Sequence, residues 1–157
     1  MATDDFGGIS KDGSMPWPKN TSDLQWFKKN TLNTIIIMGR LTWVDPFMPS
    51  PLKGRINILV TNQDKKKYPG ADEYLSGDIL TGVLNLSHKY KHKDIFIIGG
   101  VEILNQLFDL IEEFYLTRIY GDYECDKKIN LKNITESMQM IKKLKIDKNS
   151  HVEIWKK

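Results

Sequence analysis

Cysteine is almost absent from this chain. Cys125 stands alone among 157 residues, so no intramolecular disulfide can form, and a reducing compartment such as the cytoplasm is expected. Long apolar runs are lacking as well, which excludes a membrane-spanning helix, and no signal-peptide pattern is visible. Charge of one sign is scarce: the net charge is +3, too weak a tilt to imply nucleic acid but suited to small anionic ligands. Repeats and low-complexity segments are missing, and the length suits one domain over residues 1–157. Histidine is scarce too. His88 and His92 stand four apart, but a metal pair needs further ligands, and they read as a solvated helix end. The opening MATDDFGGISKDG offers hardly any apolar residues, although a parallel α/β domain often begins with a buried strand.

What is present is concentrated between Met15 and Trp43. A Pro-Trp-Pro turn leads into an amphipathic helix, a fully apolar strand, and a Gly-Arg turn into a second helix. At about 100° per residue, Asp23 falls near the middle of the apolar stripe, with Leu24, Trp26 and Phe27 around it. Two readings are open. Following Asn20 and Thr21, Asp23 can cap backbone amides in the first helical turn. Alternatively, a desolvated carboxyl at that place wants a cationic partner, a proton or a hydrogen-bonding ligand.

The strand Asn33–Met38 is β-branched without alternation, as expected for a strand buried on both faces of a parallel sheet. Gly39, Arg40 and Thr42 follow at its carboxyl end, where ligands of open α/β sheets bind. Arg40 there is a phosphate clamp or an ordinary solvated turn arginine. Residues 44–55 carry three prolines and read as an ordered surface loop, and Ile56–Thr61 is a second buried strand. The Lys65–Lys67 run reads as a solvated face. Asp78 can cap a helix with Ile79, Val83, Leu86 and Tyr90 on one face, although Gly82 interrupts it. A third strand, Asp94–Ile98, runs into Gly99-Gly100 and the helix VEILNQLFDLI; two glycines at such a junction let a ligand approach the backbone closely. Phe114–Tyr123 alternates as a strand, and the tail reads as an antiparallel hairpin around Asp147–Ser150.

Taken together, MPWP, the aspartate helix with WFKKNT, IIIMGRLTW, PLKGRINILVT, IFIIGG and YLTRI resemble dihydrofolate reductase, in that family's order and spacing. The resemblance implies an α/β fold of three layers, with a mostly parallel central sheet, helices on both faces and a C-terminal antiparallel hairpin. It also implies NADPH as hydride donor, 7,8-dihydrofolate as acceptor, antifolate binding and a monomer. Asp23 matches the ionisable group of the pterin pocket, Thr117 the threonine supporting it, and Trp17 the tryptophan that orders water nearby. Leu24, Phe27, Leu52 and Ile98 match walls of the substrate site, and Arg55 the arginine that grips the folate carboxylate. On the cofactor side, Gly39, Arg40, Leu41 and Thr42 match the phosphate-binding turn, while Val60, Thr61 and Asn62 match the adenosine edge. Gly99 and Gly100, whose linking peptide is cis in the family, match the nicotinamide and pyrophosphate site with Val101, Glu102, Ile103 and Leu104. Ala2, Ile9 and Met15 match the nicotinamide side, the last two in a closing loop.

Departures accompany the likeness. Leu104 replaces a usual tyrosine, which is expected to weaken cofactor placement. Ser10 replaces a loop glycine, and Cys125–Asn130 keeps Asp126 but loses most of the pattern that closes the loop. The family's first strand is expected to be missing or truncated, since matching Ala2 to its end leaves about six residues, one typical strand, unaccounted for. A truncated start is therefore expected, and restoring an upstream apolar segment should raise melting temperature and turnover together. Two other readings share the fold: a riboflavin-pathway pyrimidine reductase and a catalytically silent NADP-binding module. Asp23 after the Pro-Trp-Pro turn and the arginine of LKGR favour folate.

Overall fold

The computed structural model describes all 157 residues. In chain order it comprises β1 (Ala2–Thr3), β2 (Gly8–Ser10), α1 (Thr21–Thr31), β3 (Ile35–Gly39), α2 (Arg40–Trp43), β4 (Ile56–Val60), β5 (Glu73–Leu75), α3 (Ile79–Lys89), β6 (Ile95–Gly99), α4 (Val101–Leu107), β7 (Glu113–Ile119), β8 (Lys127–Lys128), α5 (Leu131–Ser137), β9 (Gln139–Lys145) and β10 (Ser150–Lys156). The chain forms two compact units, one of Lys29–Phe108 and one of Met1–Lys28 with Asp109–Lys157.

The Lys29–Phe108 unit is built on an all-parallel sheet in the order β5-β4-β3-β6. All five residues of β3 are buried, as its unbroken apolar run requires. On one face Ile35, Ile37 and Ile58 pack with Ile79, Val83 and Leu86 of α3 and with Ile103 and Leu107 of α4. Strand period two and helix period 3.6 thus converge on one core, each buried aliphatic contributing roughly 1.5–3 kcal/mol relative to exposure. The Asp78 carboxylate accepts from the Thr81 amide and starts α3 as expected. Gly82 has a packing reason, for a Cβ there would stand 2.9 Å from Leu75 Cδ2.

The other unit carries a sheet in the order β1-β7-β10-β9. Here β1 lies parallel to β7, with Ala2 opposite Thr117 and Thr3 opposite Arg118, whereas β7, β10 and β9 run antiparallel. The expected C-terminal hairpin is β9–β10, and its turn is closed by the Asn149 amide donating to Asp147 Oδ1. The first strand is present as a two-residue segment.

Several elements differ from the sequence reading. β7 stops at Ile119 instead of running to Tyr123, because Gly121 turns the chain at φ +122°. The predicted helix after Gly100 ends at Leu107 and tightens into a 3-10 turn over Phe108–Leu110. β5, the β2–β8 pair and α5 are additions. They are two to seven residues long, too short to show a period, although Asn130 caps α5 by accepting from the Lys132 amide.

Candidate active site

The two readings of Asp23 separate at the first turn of α1. Asn20 Oδ1 accepts from the Asp23 amide at 2.9 Å, so Asn20 supplies the cap and the Asp23 carboxylate is spared that task. Asn20 also donates from Nδ2 to Ser150 Oγ at 3.0 Å, fixing the start of α1 to β10. The carboxylate hydrogen-bonds the Thr117 side chain of β7. Burial pushes the Asp23 carboxyl above the ordinary aspartate range; Thr117 and the Met1 ammonium pull back against it, and Asp147 adds to the rise. Thr117 is only 3% exposed. A buried threonine next to buried Leu116 breaks the one-sided pattern of β7, and Asp23 supplies its partner.

Trp17 is buried with Ile119 and Cys125, and Ala2, Met15 and Tyr123 pack around them. Its ring meets Tyr123 edge-on at 5.8 Å. Ile9 lies half-buried in β2, and Leu24 and Phe27 are half-buried on α1. The segment between is compact. Lys11 and Ser14 exchange two backbone hydrogen bonds over Asp12 and Gly13, which take φ of +51° and +82°. The Asp12 amide donates to Asp126 Oδ2 at 2.9 Å, and the Asp126 amide to the Ser10 carbonyl at 3.0 Å. The lost family pattern at 125–130 therefore does not release this segment. These bonds use main-chain groups and the retained Asp126, and neither depends on the replaced side chains.

In the Lys29–Phe108 unit the register aligns three strand ends. Gly39 of β3 pairs with Val60 of β4, and Met38 pairs with Gly99 of β6. Gly39 and Gly100 stand at the N-caps of α2 and α4, and neither helix has a side-chain cap. The Gly99–Gly100 peptide is cis, as the resemblance implies, and Gly99 takes φ +129°. A Cβ on Gly99 would stand 3.2 Å from Thr42 Oγ1, and one on Gly39 would stand 3.2 Å from Ile103 Cγ1. The result is a bare backbone junction bordered by Thr42, with no side chain on Gly39, Gly99 or Gly100.

Not every predicted residue turns its side chain to this junction. Ile103 belongs to the core, and Leu104 is buried with its amide donated to the Gly100 carbonyl. Leu41 and Glu102 are exposed, while Arg40, Thr42, Val101 and Ile98 are half-buried. Thr61 Oγ1 accepts from the Gln63 amide, and Asn62 Oδ1 accepts from the Gly77 amide, so both shape the turns after β4 and β5. Lys65–Lys67 is exposed, as expected of a solvated run, and so are His88 and His92.

The residues of this unit that the resemblance assigns to the substrate, Leu52 and Arg55, rest on a residue without a local signal of its own beyond its polarity. Asn57 is 2% exposed in β4; its Oδ1 accepts from the Leu52 amide at 2.7 Å, and its Nδ2 donates to the Leu52 and Arg55 carbonyls at 3.0 Å each. Leu52 is thereby buried, and Arg55 donates from Nη1 to Thr31 Oγ1 and from Nε to the Lys53 carbonyl. A polar residue inside an apolar strand was the available signal.

The family model for dihydrofolate reductase matches residues 1–154. This chain belongs to the dihydrofolate reductase family. It is 30% identical over 138 residues to dihydrofolate reductase type 8 of Escherichia coli, covering 85% of this chain and 79% of that one. It is 34% identical over 119 residues to the dihydrofolate reductase of Bacillus subtilis, covering 76% and 66%. Against the bifunctional dihydrofolate reductase-thymidylate synthase of Glycine max it is 32% identical over 139 residues. That match covers 80% of this chain but 26% of the plant protein, so the chain spans about a quarter of such relatives.

Proposed function

We propose that residues 1–157 act as one reductase domain that reduces 7,8-dihydrofolate to tetrahydrofolate with NADPH, as a monomer in the cytoplasm. The observation that carries this reading is the partly buried Asp23 carboxyl, released from helix capping and hydrogen-bonded to Thr117. A flat amidine-like edge, such as a pterin's, satisfies such a group by paired charge-assisted hydrogen bonds. Burial raises the carboxyl above the ordinary aspartate range, so it holds a proton more readily than an exposed aspartate does. Trp17, buried beside Met15, orders the water that relays it. In this reading Leu24 and Phe27 of one unit, and Leu52 and Ile98 of the other, are the apolar residues assigned to the substrate, and Arg55 offers a planar fork suited to a carboxylate.

The glycine cradle fits the cofactor, since Gly39 and Gly99 present main chain where a Cβ would crowd Ile103 and Thr42. Bound NADPH supplies the hydride. Arg40, Leu41 and Thr42 hold its phosphates, and Val60, Thr61 and Asn62 border the adenosine. Val101 and Glu102, with the main chain of Ile103 and Leu104, line the approach to the cradle, and Ala2, Ile9 and Met15 border the nicotinamide. Positioning is what the protein contributes. The buried free thiol of Cys125 suits a reducing compartment.

NADPH oxidation that requires dihydrofolate and stops with an antifolate is the expected result. Oxidation only with a ribitylaminopyrimidine, or NADPH binding without turnover, would replace the reading. Arg55→Ala should raise KM for dihydrofolate by about tenfold or more while leaving KM for NADPH within twofold. An equal rise in both would remove Arg55 from the substrate site.

A further inference from the structure

The segment that carries Ile9 and Met15 is pinned by a charge that the proposed chemistry does not use. Asp4 is fully buried. Its Oδ1 accepts from the Phe6 amide at 2.8 Å and from the Gly8 amide at 2.7 Å. Oδ2 reaches a segment 119 residues away and accepts from the Tyr123 amide at 3.3 Å. The Cys125 thiol hydrogen-bonds the same carboxylate. Main-chain bonds enclose the group further: the Asp4 amide donates to the Gly8 carbonyl, and the Ile129 amide to the Gly7 carbonyl.

We propose that Asp4 is a positioning residue, a buried pin whose two carboxylate oxygens lock the Gly8–Met15 segment to Tyr123–Ile129. Three facts of chemistry support it. Burying a carboxylate is costly unless it is fully hydrogen-bonded, and here amides from both segments converge on it. Burial would push its proton affinity up, but the amides of Gly8, Phe6 and Tyr123 outweigh that and hold Asp4 below the usual aspartate range, ionised at neutral pH. Cys125, buried beside it, has its pKa pushed up to about 11, so it stays a protonated donor. Gly8 completes the fit, because a Cβ there would lie 2.5 Å from Asp4 Oδ2 and from Cys125 Sγ. The remaining side-chain ties between the segments are exposed: the Lys11–Glu124 ion pair at 3.1 Å and the Asp126 bond to the Asp12 amide. Such surface pairs contribute little, which leaves Asp4 as the buried side-chain anchor beside the main-chain pairing of β2 with β8.

The functional consequence rests on the reductase reading, in which Ile9 and Met15 border the nicotinamide. Loosening the segment then weakens NADPH retention and spares the folate site. Asp4→Asn keeps the shape but has one acceptor oxygen, so it cannot serve both segments. Two measurements on the intact chain test the pin. Amide hydrogen exchange over residues 8–15 should speed up by about tenfold or more in Asp4→Asn, with β7 and β10 unchanged. KM and Kd for NADPH should rise by a similar factor, with KM for dihydrofolate within twofold. Cys125→Ala, which leaves the three amide bonds, should show the same pattern at about two- to threefold, and Cys125→Ser, which restores a donor, should return to native values. Should Asp4→Asn not fold, the Cys125 pair decides. Native exchange over 8–15 in folded Asp4→Asn, or in Cys125→Ala where only that variant folds, overturns the pin. A native chain that binds no NADPH sinks the reductase reading instead, and exchange alone then decides the pin.

Discussion

Asp23→Asn should cut turnover by about 10²–10⁴-fold while leaving NADPH affinity within about twofold. The substitution keeps volume and a carbonyl oxygen for the Thr117 hydroxyl, but it removes both the negative charge and the ability to handle a proton. Its sign in pH is equally definite. Burial raises the native pKa of Asp23, so the folded chain holds this proton more tightly than the unfolded chain does. The stabilising contribution is complete below the unfolded pKa and is lost as pH rises through the native value. Turnover that depends on the proton should decline over the upper part of that window, and Asp23→Asn should flatten the dependence. The same variant should be at least as stable as the native chain at neutral pH, because it removes a charge held where charge is disfavoured. Near-native turnover in Asp23→Asn, or a marked loss of stability with it, would take the proton away from this residue.

Much of this arrangement could be read from residues alone, for reasons visible in particular elements. β3 is five consecutive buried positions, and a β-branched run without alternation has few other places to go. The α3 start was legible because Asp78 precedes a helical period, and the tail hairpin because polar turn residues separate two strand-like segments. Asp23 was visible as an anomaly, a charge amid apolar neighbours. Its release from capping was not, because Asn20 and Asp23 are both acceptable caps and only the bond from the Asp23 amide to Asn20 Oδ1 discriminates.

What stayed illegible depends on pairs far apart in the chain. Asp4 meets Tyr123 and Cys125 across more than a hundred residues, and nothing local marks it as other than a loop aspartate. The closing segment shows the same limit. By side-chain pattern the stretch at 125–130 keeps Asp126 and loses most of the rest, yet its bonds to Ser10 and Asp12 need only main-chain groups and Asp126. Ile103 illustrates the reverse case. The resemblance matches it to the cofactor site, and helix geometry turns its side chain into the core under Gly39, leaving its main chain toward the glycine pair.

Asn57→Ala should lower stability by about 3 kcal/mol, a fall in melting temperature of roughly 6–12 °C for a chain of this size. Three backbone groups lose their partner at once: the Leu52 amide, the Leu52 carbonyl and the Arg55 carbonyl. Each orphaned buried group costs about 1–3 kcal/mol, and relaxation of the loop toward water offsets part of the sum. The Asn57 main chain is unaffected, since its amide donates to Asp72 Oδ2 and its place in β4 is fixed by pairing with Ile36. Damage should therefore be local. Leu52 and Arg55 should lose their fixed positions, so KM for dihydrofolate should rise by about tenfold even below the melting transition, with KM for NADPH unchanged. Asn57→Asp keeps the acceptor for the Leu52 amide but turns a carboxylate oxygen toward the Leu52 and Arg55 carbonyls, so at neutral pH it should be no more stable than alanine and should match alanine in KM for dihydrofolate. An alanine variant that melts within 2 °C of the native chain would show that these three bonds do not carry the loop.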